Sequence, residues 1–356
     1  MNSSEHDPDN VQAKTSKPIG GFFDIELGEG QENYHPRALA LNSGRACLNL
    51  IVQRIAPKTV YVPFYCCDSV IEPLLTQQIP FHFYPINSHL QPLLPQSLGN
   101  EEYAIVINYF GIQTPLINTL VEQYKEQVIV DNTQAFFDRG NGKAWSFNSA
   151  RKFFGVPDGA YLYCPEQKSQ ILADVFERNE KFSYFHLLSR LVGKNTEAYQ
   201  QFLDNERLVD SVPKAISVLS QKLLSTVRYD DVVQQRRSNF DVYHQVLASY
   251  NRLTNAIDDY LQREKQNIVP FFYPLLPFNR VDKTLLFEQQ IFIPTFWNDT
   301  ISRFDGLQEE HERQRFAFER ELAERVLPLP IDQRYTAADC HIVMEVILPL
   351  LSLSSQ

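Results

Sequence analysis

The chain has no excess of positive charge: 33 Lys and Arg stand against 43 Asp and Glu, a formal net charge of −10 over 356 residues. Binding a phosphate backbone needs concentrated positive charge, so no nucleic-acid partner is expected. A small anionic substrate stays open, because a few local arginines suffice for one. Long apolar runs are also missing; none approaches the roughly 18 residues that span a bilayer. The opening residues MNSSEHDPDN lack the charged-then-apolar order of a secretion signal. A soluble, cytoplasmic protein with no membrane partner is the expectation. Cysteine is scarce, at five; the five include an adjacent pair, Cys66-Cys67, and follow no metal-ligand or disulfide spacing. Free or buried thiols in a reducing compartment fit that usage, with no metal. Internal repeats and low-complexity blocks are absent.

What is present is alternation. The length suits one large domain and a smaller one. Residues 1–19, polar and interrupted by proline, read as a mobile tail, and Gly20-Gly21-Phe22-Phe23-Asp24 as the start of ordered structure. Strands are expected over 38–41, 59–62, 81–84, 103–108, 128–130 and 160–163. Helices are expected over 45–54, 68–77 and 115–124. Strands alternating with helices of this length predict an α/β fold, a mostly parallel sheet with helices on both faces. The large domain takes 20–228. From Tyr229 a smaller α+β domain follows to 356, opening on a long amphipathic helix over 229–250. Strands over 268–273 and 291–294 come next, with helices over 281–288, over 309–325 and after Thr336.

The most informative stretch is VIVDNTQAFFDRGNGKAWSFNSARKFFGVPDGAYLY, residues 128–163. A buried strand ends on Asp131, Gln134 follows, and a second apolar run over 144–147 leads to Lys152 and the turn 155–159. An acid and a lysine after successive core strands converge at the carboxyl edge of the sheet, where open α/β folds bind ligands. That pairing suits pyridoxal phosphate. The lysine forms a Schiff base with its aldehyde, and the acid keeps its pyridine nitrogen protonated.

This stretch resembles the sugar aminotransferases of the DegT/DnrJ/StrS type, which have the aspartate-aminotransferase fold. Asp131, Gln134, Lys152 and Asp158-Gly159 fall on that family's pattern, with one extra residue between Ser146-Phe147 and Lys152. The segments 293–297 and 327–332 also look like C-terminal parts of the family. The resemblance implies a fold-type I enzyme dependent on pyridoxal phosphate, with Lys152 catalytic and Asp131 under the pyridine nitrogen. Gln134 is then on the phenolic oxygen, Tyr65 over the ring, and Asn148 nearby. Ser43, Gly44 and Arg45 fall where the family holds the cofactor phosphate at a helix start, with Arg45 replacing a hydroxyl and Ser149 assisting. The implied reaction moves an amino group, from glutamate, onto a nucleotide-linked keto-sugar. A dehydratase of the same fold is one alternative, although such relatives typically replace the lysine. A non-catalytic sugar-nucleotide-binding protein is the other. The resemblance also implies a homodimer. Phe22, Phe23, Phe136, Phe137, Phe153 and Phe154 are read as surface that a second copy covers.

Overall fold

A computed structural model describes residues 25–263 and 265–352. The expected tail 1–19, the ordered start at Gly20, and both Phe22 and Phe23 lie outside the described residues. Seven strands form the main sheet: β1 (Leu39–Leu41), β2 (Thr59–Pro63), β3 (Phe81–Tyr84), β4 (Glu102–Ile107), β5 (Val128–Asn132), β6 (Trp145–Asn148) and β7 (Ala160–Tyr163). Their order is β1-β7-β6-β5-β4-β2-β3. Strands β3, β2, β4, β5 and β6 run parallel, whereas β7 is antiparallel to both neighbours. The central strands read as unbroken apolar runs because both faces are covered. Ile129 and Phe147 share a core with Ile51 of α1 (Gly44–Ile55). Val128 and Val130 point the other way, toward Leu120 of α3 (Thr114–Tyr124). The expected helix over 68–77 is a 3-10 turn followed by α2 (Glu72–Thr76). Pro73, which has no N–H to donate, sits in the first turn of α2.

Four helices lead into the last third: α4 (Phe185–Leu191), α5 (Asn195–Glu206), α6 (Val218–Ser225) and α7 (Tyr229–Leu247). After α8 (Thr254–Arg263) comes β8 (Phe272–Leu275), which starts four residues later than expected. Residues 268–271 spend their backbone groups elsewhere. Phe271 N–H donates to Phe110 O, Ile268 O accepts from Arg237, and Pro270 O and Phe271 O accept from Arg236. The expected strand over 291–294 does not form; Ile291 N–H instead closes the end of α9 (Lys283–Glu288) on Leu286 O. After α10 (Asn298–Asp305) the expected helix over 309–325 divides into α11 (Glu310–Arg315) and α12 (Ala317–Arg325). It breaks at Phe316, whose ring stacks on Phe64 at 4.0 Å. Strand β9 (Leu327–Pro330) pairs antiparallel with β8, and α13 (Ala337–Ser352) ends the described chain.

The reading of the paired phenylalanines is overturned as well. Phe136, Phe137, Phe153 and Phe154 are not surface: all four are buried in one cluster with Tyr161, Tyr229 and Phe271. The packing of this chain against itself accounts for them, because α7 and the stretch before β8 close over the rings.

Candidate active site

The site begins where β5 and β6 end together, with Asp131 level with Phe147 and Asn132 level with Asn148. Side chains alternate along a strand, so Asp131 shares the α1 face with Ile129. Its Oδ1 accepts the Thr133 N–H at 2.8 Å. Thr133 Oγ1 in turn accepts from Lys152 Nζ at 2.9 Å. One threonine therefore ties the acid to the lysine. Asp131 is buried and Lys152 exposed, so the acid is fixed and the amine can be reached. Thr133 was missed in the sequence, where nothing marks it beyond its place between Asp131 and Gln134.

Lys152 ends a 3-10 turn, Ala150–Lys152, that is anchored by Ala150 N–H on Gly159 O at 3.0 Å. Asp158 holds the returning arm. Its buried carboxylate accepts from Ser217 N–H (2.9 Å), Ser217 Oγ (2.6 Å), Ser220 Oγ (2.5 Å) and Asn179 Nδ2 (2.9 Å). Gly159 has φ +125°, and a Cβ there would stand 2.7 Å from Ile216 Cδ1, so glycine is required. Arg151 pairs with Glu206, and burial pulls its guanidinium down to about 10 against the opposing pull of Asp158.

At the start of α1, Ser43 caps the helix by accepting Ala46 N–H at 3.0 Å. Its hydroxyl also donates to Asp210 O. Arg45 pairs with Glu72 (3.1 Å) and donates to Val209 O. Gly44 lies against the site, since a Cβ there would meet Thr133 Cγ2 at 3.1 Å. The helix start thus faces Thr133, but segment 209–214 lies over it.

Tyr65 is fully buried, 5.5 Å from the Tyr109 ring and 4.9 Å from Trp297. Its hydroxyl has no hydrogen-bond partner among the described residues, and burial pushes it up. Gln134 Oε1 accepts Phe110 N–H at 2.6 Å, so its orientation is set by the backbone after β4. Asn148 Nδ2 reaches Phe136 O and the His35 ring, both on the sheet face opposite Asp131. Ser149 precedes the lysine turn without capping it. Two further residues brace the lysine loop. Gln333 Nε2 donates to Phe153 O, and Arg236, stacked 4.5 Å over the Phe153 ring, donates to Gln333 Oε1. Arg236 was legible in one respect: a charge within the buried stripe Val232, Arg236, Phe240, Tyr243 of α7 needs internal partners. A cavity of about 980 Å³ lined by Lys152, Phe154, Leu188, Leu223, Arg236 and Tyr335 opens beside the lysine.

No protein-family model matches this sequence, and no curated protein matches it. Solved structures do. A DegT DnrJ EryC1 StrS aminotransferase from Brucella abortus superposes with a TM-score of 0.59 at 15% identity, covering 88% of this chain and 86% of that one. A sugar aminotransferase from Micromonospora echinospora gives 0.54 at 14% identity, over 88% of this chain and 87% of its own. A candidate sugar aminotransferase from Streptococcus pneumoniae, solved in its PLP form, gives 0.54 at 12% identity, over 90% and 88%. At such identity the likeness speaks for architecture. This chain has the fold of the solved sugar aminotransferases, with Asp131 and Lys152 at the carboxyl edge of its parallel strands.

Proposed function

We propose that this chain is a pyridoxal-phosphate-dependent aminotransferase acting on a sugar. The observation that carries the reading is the chain of contacts from Lys152 Nζ through Thr133 to Asp131. The residues suit the cofactor at its reactive end. Lys152 offers a reachable amine, Asp131 a fixed carboxylate, and Gln134, whose oxygen is spent on Phe110, offers Nε2 as a donor for the phenolic oxygen. Asn42, Ser43 and Arg45 would hold the phosphate once segment 209–214 leaves the α1 start.

When bound, pyridoxal phosphate supplies an aldehyde that takes up and returns an amino group, and a ring that withdraws electrons. Lys152 Nζ would hold that aldehyde and would then carry a proton at the reacting carbon. Asp131 would keep the pyridine nitrogen protonated, because a fixed negative charge favours the charged ring. More finely, we propose glutamate as donor, a nucleotide-linked keto-sugar as acceptor, a homodimer and a cytoplasmic setting. We also propose a division near Tyr229 into a cofactor-binding part and a smaller part. Among the described residues no helix is long and apolar enough to cross a membrane.

Borohydride treatment after incubation with pyridoxal phosphate tests the reading. The cofactor should be fixed on the Lys152 peptide, and Lys152→Ala should abolish both fixation and transamination in a folded protein. Turnover by that variant, with no other lysine trapped, places the chemistry elsewhere. Mixing nucleotide keto-sugars with glutamate and measuring oxoglutarate then identifies the acceptor. The covered α1 start favours one second reading, a non-catalytic sugar-nucleotide-binding protein. A chain that binds nucleotide sugars yet never takes up the cofactor would support it.

A further inference from the structure

The segment over the α1 start holds on through polar groups. Val209 O accepts from Arg45 Nη1 (3.0 Å), Asp210 O from Ser43 Oγ (3.2 Å), Ser211 O from Asn49 Nδ2 (2.8 Å) and Val212 O from Asn42 Nδ2 (3.3 Å). Asn42 adds two more bonds to Lys214, N–H to O at 2.9 Å and Oδ1 from N–H at 3.1 Å. Of these side chains, Asn42, Ser43 and Arg45 are the ones at which the proposed phosphate site lies, and Asn49 stands outside it.

Two features of the segment pull in opposite directions. A helix start receives an anion through N–H donors, whereas here a row of carbonyl oxygens faces it and would repel one. The cavity left between Asn42, Asp158 and Val209 is about 10 Å³, room for at most a water. Yet none of residues 209–215 is fully buried, and Val212 is exposed. The bonds that hold the segment are part-buried, but it has no buried apolar anchor of its own, and segments without such anchors are the ones that open at low cost.

We propose that residues 209–214 form a strap that gates the α1 start, closed in the cofactor-free chain and displaced when pyridoxal phosphate loads. The inference rests on the aminotransferase reading. Displacement frees Asn42, Ser43 and Arg45 to donate to the phosphate, and the closed strap slows loading because only the open fraction binds.

Loading of pyridoxal phosphate, followed by absorbance, is compared in the wild type, Asn49→Ala and Gln77→Ala. Gln77 bonds Asn49 but does not touch the strap, so it controls for disturbance of Asn49 itself. Asn49→Ala should load about fivefold faster, the effect of losing one neutral hydrogen bond from the closed state, while Gln77→Ala loads like the wild type. In the wild type, hydrogen exchange at the Lys214 amide should quicken on loading. Equal loading rates, or protection at Lys214 that persists in the loaded protein, overturn the strap while borohydride still fixes the cofactor on Lys152. Absence of fixation in all three proteins overturns the aminotransferase reading and the strap together. If Asn49→Ala does not fold, the exchange measurement on the wild type decides.

Discussion

At the scale of single residues, the acid and the amine are the parts that covalent spacing makes readable. Asp131 lies near the end of one core strand and Lys152 follows the next, and parallel strands bring such positions to one edge whatever the loops do. Thr133 was not readable, because its bond to Lys152 depends on how the backbone turns after Asp131. Asp131→Asn tests the acid. Thr133 N–H can still donate to the amide oxygen, so melting should barely change, while turnover falls by orders of magnitude because a neutral amide cannot hold the pyridine nitrogen protonated. Unchanged turnover assigns Asp131 to structure. Asp158 is the opposite case. Its carboxylate serves four donors, and an asparagine would turn an NH₂ group toward two of them. Breaking a buried charged hub costs about 3 kcal/mol, so Asp158→Asn should lower the urea midpoint markedly. A midpoint within error of the wild type would show that the hub is not what holds the lysine loop.

At the scale of elements, the strands of the main sheet were legible and those of the last third only in part, through β8. Continuous apolar runs such as Val128-Ile129-Val130 have one reading once both faces are covered. Strand β9, Leu-Pro-Leu-Pro, has a composition that argues against a strand, and it forms on a two-stranded sheet whose only partner is β8. The break between α11 and α12 was equally hidden, since it comes from Phe316 packing on Phe64, a contact across more than 250 residues of sequence. Just past that break, α12 carries a fully buried acid. Glu319 Oε1 accepts Ile86 N–H at 2.5 Å, beside the chain leaving β3, and Oε2 has no partner among the described residues. Burial raises its carboxyl to about 7, with Arg315 opposing only weakly; the Tyr109 phenol is also in its field. The folded state therefore keeps a proton that the unfolded chain releases near the ordinary carboxyl value of 4.5. Stability from this group is intact below 4.5, falls as pH rises toward 7, and is lost fully above it, by about 3 kcal/mol. Glu319→Gln keeps the acceptor for Ile86 and removes the titration. It should match the wild type at pH 4.5 and unfold at higher urea at pH 8. Parallel pH profiles for the two proteins would mean that Glu319 does not titrate in this range.

At the scale of the whole molecule, the phenylalanines read in the sequence as interface turn out, where they are described, to be core. Paired phenylalanines near the site suggested a covered surface, yet the four described ones lie in this chain's own core. What a sequence cannot show is which aromatic side chains a later segment will bury; here that segment is α7 and the stretch before β8, which begin 92 residues downstream of Phe137. Several of the exposed apolar side chains gather on α4, the residue after it and α5. Phe185, Val192 and Tyr199 are exposed, and Leu191 is 82% exposed. Tyr184, Leu188 and Leu191 also line the cavity beside Lys152, so this surface runs into the site. If the proposed homodimer forms, this face is the part of the described chain best suited to close against a twofold copy. Sedimentation at micromolar concentration should show a dimer, and Leu191→Asp combined with Val192→Asp should give a folded monomer with weaker cofactor retention. Phe136→Ala serves as the contrast: it opens a cavity in the core and should cost about 3–5 kcal/mol of stability whether or not the chain is dimeric. A wild-type monomer that keeps its cofactor and full activity would refute the shared-site picture and leave Lys152 as the reacting amine.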